Sequence, residues 1–203
     1  MGKIIDVKKD DAKTISTVAD IHIATFQGFF LTFLGKGFLK LLYKSYCEFD
    51  ESAVIAYVDE GKILGFFAYS GNYSGLYKYM IKKRLIPFAW YAIGAFFRKP
   101  KSFMRLIGAF VKSNDVSREE KYLEIASCSV LPTCAGMGIG TILMNEVIRR
   151  TDFTKYAYIS LETDADNNAS VNSFYQKSGF TLARTYETRE GRRMNEYRFG
   201  GKQ

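Results

Sequence analysis

Five residues, Gly136-Met137-Gly138-Ile139-Gly140, carry the clearest chemical signal in this chain. They stand between an apolar run, Tyr122 to Val130, closed by Pro132, and a second run in which Ile142, Leu143, Val147 and Ile148 recur at helical spacing. Alternate glycines remove the Cβ atoms that keep a bulky anion off the backbone, and they permit φ > 0 where the turn requires it. The turn then opens directly into a helix, whose first N–H groups have no intrahelical partners and whose dipole favours negative charge. A phosphate or pyrophosphate is the natural occupant of such a junction.

Strand, glycine turn and helix also occur in two nucleotide-binding patterns, and neighbouring residues argue against both. A P-loop needs Lys-Ser/Thr after its last glycine, whereas Thr141-Ile142 follows here. A dinucleotide fingerprint belongs to the first strand–helix unit of its domain, whereas this loop lies two-thirds of the way along the chain, after several other elements.

Downstream comes Asn168-Ala169-Ser170-Val171-Asn172-Ser173-Phe174-Tyr175-Gln176-Lys177-Ser178-Gly179-Phe180, a short helix with Tyr175 seven residues beyond Asn168 and a Gly-Phe exit. Val-x-Pro-x-x-x-Gly-x-Gly-x-Gly from Val130 to Gly140, then this Asn-to-Tyr spacing and Gly-Phe, resembles the GNAT superfamily of acyl-CoA-dependent N-acyltransferases. The specific likeness covers about residues 121–180. The family usually places Gln or Arg just before the first glycine, where this chain has Ala135.

The resemblance implies an α/β fold (α+β mixed sheet): a mixed central sheet splayed at the glycine-loop strand, in one domain over 1–203, with a helical insert after the first hairpin, at about 73–117. It implies an N-acetyltransferase that moves an acetyl group from acetyl-CoA to a primary amine by direct attack. Cofactor contacts would come from Ser129, Val130, Leu131, Ala135, Gly136, Met137, Gly138, Ile139, Gly140, Thr141, Asn168 and Tyr175. A main-chain N–H near Ser129 to Leu131 would polarise the thioester carbonyl, and Tyr175 would protonate the departing thiolate. Asn168 would cap its helix and touch the coenzyme arm. Glu124 is the leading general base, with His22, the only histidine, and Glu162 as alternatives. Cys134 has no histidine beside it in sequence, which argues against thiol catalysis.

The positioning elements follow from periodicity. Lys3 to Val7 reads as a strand, Ala12 to Thr25 as a helix, and Gly37 to Cys47 as a second helix. Ala53 to Val58 and Ile63 to Tyr69 form a hairpin around Asp59-Glu60-Gly61-Lys62. Tyr156 to Leu161 is the strand after the glycine-loop helix, and Phe180 to Glu187 with Met194 to Phe199 close the sheet. Phe26, Phe29, Phe30 and Phe33 would line the acceptor side, favouring flat, apolar or sugar-like bodies such as an amino sugar.

The net charge of +8 is concentrated in the insert. Nine Lys or Arg and no acid lie between Leu76 and Lys112, and the rest is nearly balanced, with 20 basic against 21 acidic residues. Such a local excess does not make the whole chain a nucleic-acid binder, but near the acceptor it would favour an anionic metabolite. The run from Leu85 to Phe97 is apolar between basic flanks and too short to span a bilayer. It suits a lid, a homodimer face or a membrane-surface contact over 76–112, the last pointing to a lipid-linked acceptor. Binding of acyl-CoA without turnover is a further alternative. Three cysteines without Cys-x-x-Cys spacing argue against a disulfide framework or a metal site, and an N-terminus without an apolar signal region fits a cytoplasmic setting.

Overall fold

The computed structural model describes residues 2–98, 120–188 and 191–200. Seven strands form one sheet: β1 (Lys3–Asp6), β2 (Ser52–Asp59), β3 (Lys62–Ser70), β4 (Tyr122–Val130), β5 (Tyr158–Asp164), β6 (Thr181–Glu187) and β7 (Arg193–Phe199), in the order β1-β2-β3-β4-β5-β7-β6. β4 and β5 run parallel, and every other neighbouring pair is antiparallel. Among the described residues six α-helices accompany them: α1 (Ala12–Thr25), α2 (Phe30–Leu34), α3 (Lys36–Glu48), α4 (Tyr73–Arg98), α5 (Ile139–Arg150) and α6 (Ala169–Lys177).

The central strands are apolar on both faces because each face meets helices. Ile55, Phe67, Leu123 and Ile125 join Leu143, Met144 and Val147 of α5 and Tyr175 of α6 in one core. Val54, Ala56, Phe66 and Ala68 join Val18 of α1, Leu39 and Tyr43 of α3 and Leu76 of α4 in the other. The β2–β3 turn is closed by Glu60 and Gly61, both at positive φ, the backbone that a two-residue hairpin with right-handed strand twist demands.

Two features refine the sequence reading. The break after α1 contains the short helix α2, and the insert begins as α4, 26 residues in which two helical segments meet end to end at a kink. That helix is kinked at Arg84 (φ −142°). Pro87 explains the kink: it lacks an N–H, and its ring collides with the carbonyl four residues earlier. Arg84 fixes the bend to the body, bonding Ser45 Oγ at 2.9 Å and pairing with Glu48 at 2.6 Å. The remainder of the insert, 99–117, lies outside the described residues.

Candidate active site

The site is organised by an irregularity in β4. Ala68 pairs with Ser127 but Tyr69 pairs with Ile125, so Ala126 is an extra residue in the strand. A bulge bends its strand and changes the face to which later side chains point. Before it, Leu123 and Ile125 enter the core under α5; after it, Cys128 and Val130 do. Glu124, Ser127 and Ser129 thereby share the opposite face, toward α1, α3 and α4. A strand of unbroken alternation would have set Glu124 against the two serines.

Parallel pairing with β5 stops at the same place. It runs from Tyr122↔Tyr158 to Ile125↔Leu161, while β4 continues to Val130 and β5 to Asp164. The two strands part into a wedge. Leu131 N–H is already bonded to Leu64 O of β3 at 2.8 Å, so it is no donor for a bound carbonyl. Successive N–H groups of an extended strand point to opposite edges, which turns the Val130 amide toward the wedge.

Beyond Val130 a 3₁₀ turn, Pro132–Cys134, leads into the glycine loop. Gly136 and Gly138 have φ of +80° and +76°, and an added Cβ at either would meet nothing within 4 Å. Glycine is needed there for backbone conformation, and the space beside the backbone is open. The first i→i−4 bond of α5 is Ile142 N–H to Gly138 O, so the amides of Ile139, Gly140 and Thr141 open the helix without intrahelical acceptors. Gly140 also lets α5 approach α6, since a Cβ there would lie 3.3 Å from the Phe174 ring. Ala135 and Met137 are exposed on the loop, as is Thr141 on the first turn of α5.

On the α5–α6 face, Tyr175 is 6% exposed, and its hydroxyl is hydrogen-bonded to the Cys128 thiol. Burial first, and then Cys128, raises the phenol well above its ordinary value. Burial pushes the Cys128 thiol up to about 12 despite that hydrogen bond. Both groups are therefore protonated at neutral pH, at the strand edge that β5 has left.

The other face holds a row of hydroxyls. Ser129 Oγ donates to Thr25 Oγ1 at 2.9 Å, Tyr43 OH donates to Ser127 Oγ at 3.3 Å, and Tyr43 OH also lies 2.6 Å from His22 Nδ1. Glu124 lies near the phenols of Tyr46, Tyr73 and Tyr77, whose pKa values are raised mainly by burial and further by its negative charge. Tyr46 and Tyr73 share a hydrogen bond of 2.5 Å. The insert helix thus supplies Tyr73 and Tyr77 to the surroundings of Glu124, a role that its aromatic composition did not disclose. Of the alternative bases, His22 is 3% exposed and Glu162 accepts a hydrogen bond from Tyr186 at 2.7 Å.

Two sequence-predicted groups are placed differently. Asn168 sits at the N-cap position of α6 but its side chain makes no cap; Nδ2 instead donates to Thr163 Oγ1 at 2.7 Å and to Asp164 O. Among the phenylalanines, Phe26 packs on His22 at 4.7 Å and on Phe29 at 5.5 Å. Phe33 is half-buried in α2, and the Phe30 side chain lies outside the described part. Arg192, which sequence reasoning missed, stands over the Phe29 ring at 5.2 Å and pairs with Asp164 at 2.7 Å, joining the α1–α2 turn to the β6–β7 hairpin.

A model of the Acetyltransferase (GNAT) family matches residues 18–180. The chain belongs to the GNAT acetyltransferase family. Solved members share its fold at low identity. A GNAT-family acetyltransferase from Bacillus cereus is 13% identical, with a TM-score of 0.59 over 100% of this chain and 99% of that one. The ribosomal-protein-S18-alanine N-acetyltransferase of Escherichia coli is 14% identical, with a TM-score of 0.58 over 98% and 93%. An acetyltransferase of Bacillus anthracis assigned to streptothricin, solved with acetyl coenzyme A, is 14% identical with a TM-score of 0.51 over 79% and 68%. A comparison with curated proteins finds no match. At these identities the structural likeness speaks for the fold alone. The family's acyl donor is acetyl-CoA, and the open glycine loop, the first-turn amides of α5 and the β4–β5 wedge fit a diphosphate followed by an extended arm.

Proposed function

We propose that this chain is an N-acetyltransferase that uses acetyl-CoA and acts on a primary amine of a small molecule. The observation that carries the reading is the bulge at Ala126. It coincides with the end of β4–β5 pairing, so one irregularity opens the wedge, turns an amide into it, and assigns Cys128 and Glu124 to opposite faces.

Acetyl-CoA would supply an acetyl group activated as a thioester. The amides of Gly136, Gly138, Ile139, Gly140 and Thr141 hold its diphosphate, and Ala135 contributes backbone alone to that loop. The freed edge of β4 around Ser129 and Val130 pairs with the amides of the arm as an added strand would. Val130 N–H donates to the carbonyl oxygen as negative charge develops there, a contribution of about 3 kcal/mol for a well-aimed donor.

Tyr175 donates from the α5–α6 face toward the sulfur that leaves. Its raised pKa makes complete transfer of the phenolic proton costly, so its role is a hydrogen bond to the developing thiolate, with solvent supplying the final proton. Glu124, on the acceptor face, takes a proton from the acceptor's ammonium, directly or through water and the adjacent phenols, so that the free amine attacks. Asn168 acts indirectly, by holding the end of β5 at Thr163 and Asp164.

The acceptor enters past Phe26, Phe29 and the α2 residues Phe30 and Phe33. Arg192 and Arg193 are paired with Asp164 and Asp166, so the rings of Phe26, Phe29 and Phe33 rather than net charge would meet the acceptor at this wall. Flat or sugar-like amines, such as an amino sugar, fit it better than an acceptor selected by negative charge. The test is CoA release, followed with a thiol reagent across a panel of aminoglycosides, amino-sugar nucleotides and small amines. Turnover should appear with the sugar amines and fall with Glu124→Gln. CoA binding in calorimetry without release from any amine would reduce the protein to a binding module.

A further inference from the structure

The second half of α4 carries a surface that the reaction does not use. Past the kink, Phe88 packs on Phe38 of α3 at 4.9 Å, and the Tyr91 ring fills the space that Gly37 leaves free of a Cβ. These contacts define the inner side of the helix. At 100° per residue, Ile86, Trp90, Ile93 and Phe97 fall within a narrow arc on the opposite side. They are 83%, 73%, 52% and 78% exposed. Four large apolar side chains therefore form a stripe about 16 Å long that faces away from the body. Soluble proteins seldom leave such contiguous patches without an interaction to serve.

Charge selects the partner. No acid occurs between Leu76 and Lys112, and Lys78, Lys82 and Lys83 are exposed at the end of the helix where the stripe begins. Two copies placed stripe to stripe would offer these lysines no carboxylate from the facing segment, since 76–112 holds none. Nucleic acid needs cations interleaved with the rings, whereas no charged residue lies between Leu85 and Phe97. An anionic lipid surface satisfies both parts, taking the apolar stripe into the headgroup boundary and the lysines at the phosphates. Tryptophan prefers that depth. No helix among the described residues is long and apolar enough to cross a membrane, so a bound α4 would lie in the interface.

We infer that the outer face of α4, from Lys78 to Phe97, is a docking surface for an anionic lipid bilayer. This surface is separate from the acyl-transfer site and stands whether or not that site turns over.

Trp90 is the only tryptophan in the chain, which makes the test direct. The full-length protein is mixed with vesicles of phosphatidylcholine alone or with phosphatidylglycerol, and Trp90 emission is read alongside flotation. The expected result is solvent-like emission in buffer, a blue shift with the anionic vesicles, and co-flotation that weakens as salt rises. Lys82→Gln and Lys83→Gln should each weaken partitioning about fivefold, and together about thirtyfold. Ile86→Gln with Ile93→Gln should abolish the blue shift while leaving the thermal melt unchanged, because both side chains are exposed. Emission indifferent to every vesicle overturns the proposal. So does blue-shifted emission in buffer at all protein concentrations, which would mean that the chain covers its own stripe. A blue shift that grows with protein concentration without lipid would assign the face to a second copy.

Discussion

His22 sets a pH limit on stability that can be worked from its surroundings. The ring is buried in α1 between Phe26 and Tyr43, with Nδ1 on the Tyr43 hydroxyl and Nε2 without a partner among the described residues. An imidazolium donates at both nitrogens, so protonation would leave a buried N–H without an acceptor. Burial lowers its pKa to about 4 from the ordinary 6.5. The unfolded chain then binds the proton more readily than the folded one, and stability falls as pH drops below about 6.5 and stops falling near 4. At about 1.4 kcal/mol per unit the whole effect is about 3 kcal/mol, of which about 2 kcal/mol appears between pH 7 and pH 5. The carboxylates with lowered values, such as Glu146 at about 2 through its hydrogen bonds from Arg149 and Arg150, lose their contributions mainly below their unfolded pKa, lower on the scale. This window therefore isolates the only histidine in the chain. Urea unfolding at pH steps from 7 to 5 should show the fall, and His22→Asn, which cannot titrate, should flatten it. An unchanged slope in the variant, or an imidazole resonance in the folded protein titrating near 6.5, would refute the reasoning.

Three further outcomes bear on the site and its frame. Tyr175→Phe removes only a hydroxyl paired with Cys128, so calorimetry should give CoA affinity within about twofold of the parent while turnover falls about a hundredfold. Equal losses in both would make Tyr175 a packing residue. Gly138→Ala meets no neighbour but must hold φ near +76°, costing about 1–2 kcal/mol in a thermal melt and weakening CoA as the loop relaxes. Unaltered CoA affinity at full folding would remove the loop from the binding site. Glu196 is fully buried between Arg184 and Arg198, so Glu196→Ala should cost about 3 kcal/mol. That is the lower end for a broken buried pair, because both arginines retain access to water, and a loss under about 1 kcal/mol would show that water replaces the carboxylate.

What the sequence disclosed and what it concealed divide along one physical line. The glycine loop, the β2–β3 turn and the stripe of α5 are decided by residues within a few positions of one another, and they lie where periodicity and positive-φ glycines put them. The kink in α4 is also set locally, by Pro87, but the sequence reading placed no bend there. Asn168 escaped because its side chain chose between a helix start and the end of β5, and the strand offered Thr163 Oγ1. The bulge at Ala126 escaped for a deeper reason. It is a relation between β3 and β4, and nothing in Tyr122 to Val130 marks where the extra residue must fall. One sign was available: Ser127-Cys128-Ser129 places small polar groups in a strand otherwise built for burial, and polar side chains there need partners on neighbouring elements. Those partners are Tyr43 for Ser127 and Thr25 for Ser129, both on the face of Glu124. The hydroxyl pairs therefore help hold the bulged register, since slipping Ala126 back into alternation would bury two serines among Leu143, Met144 and Val147 without acceptors. The polar row beside the acceptor face and the wedge that admits the coenzyme are consequences of the same one-residue insertion.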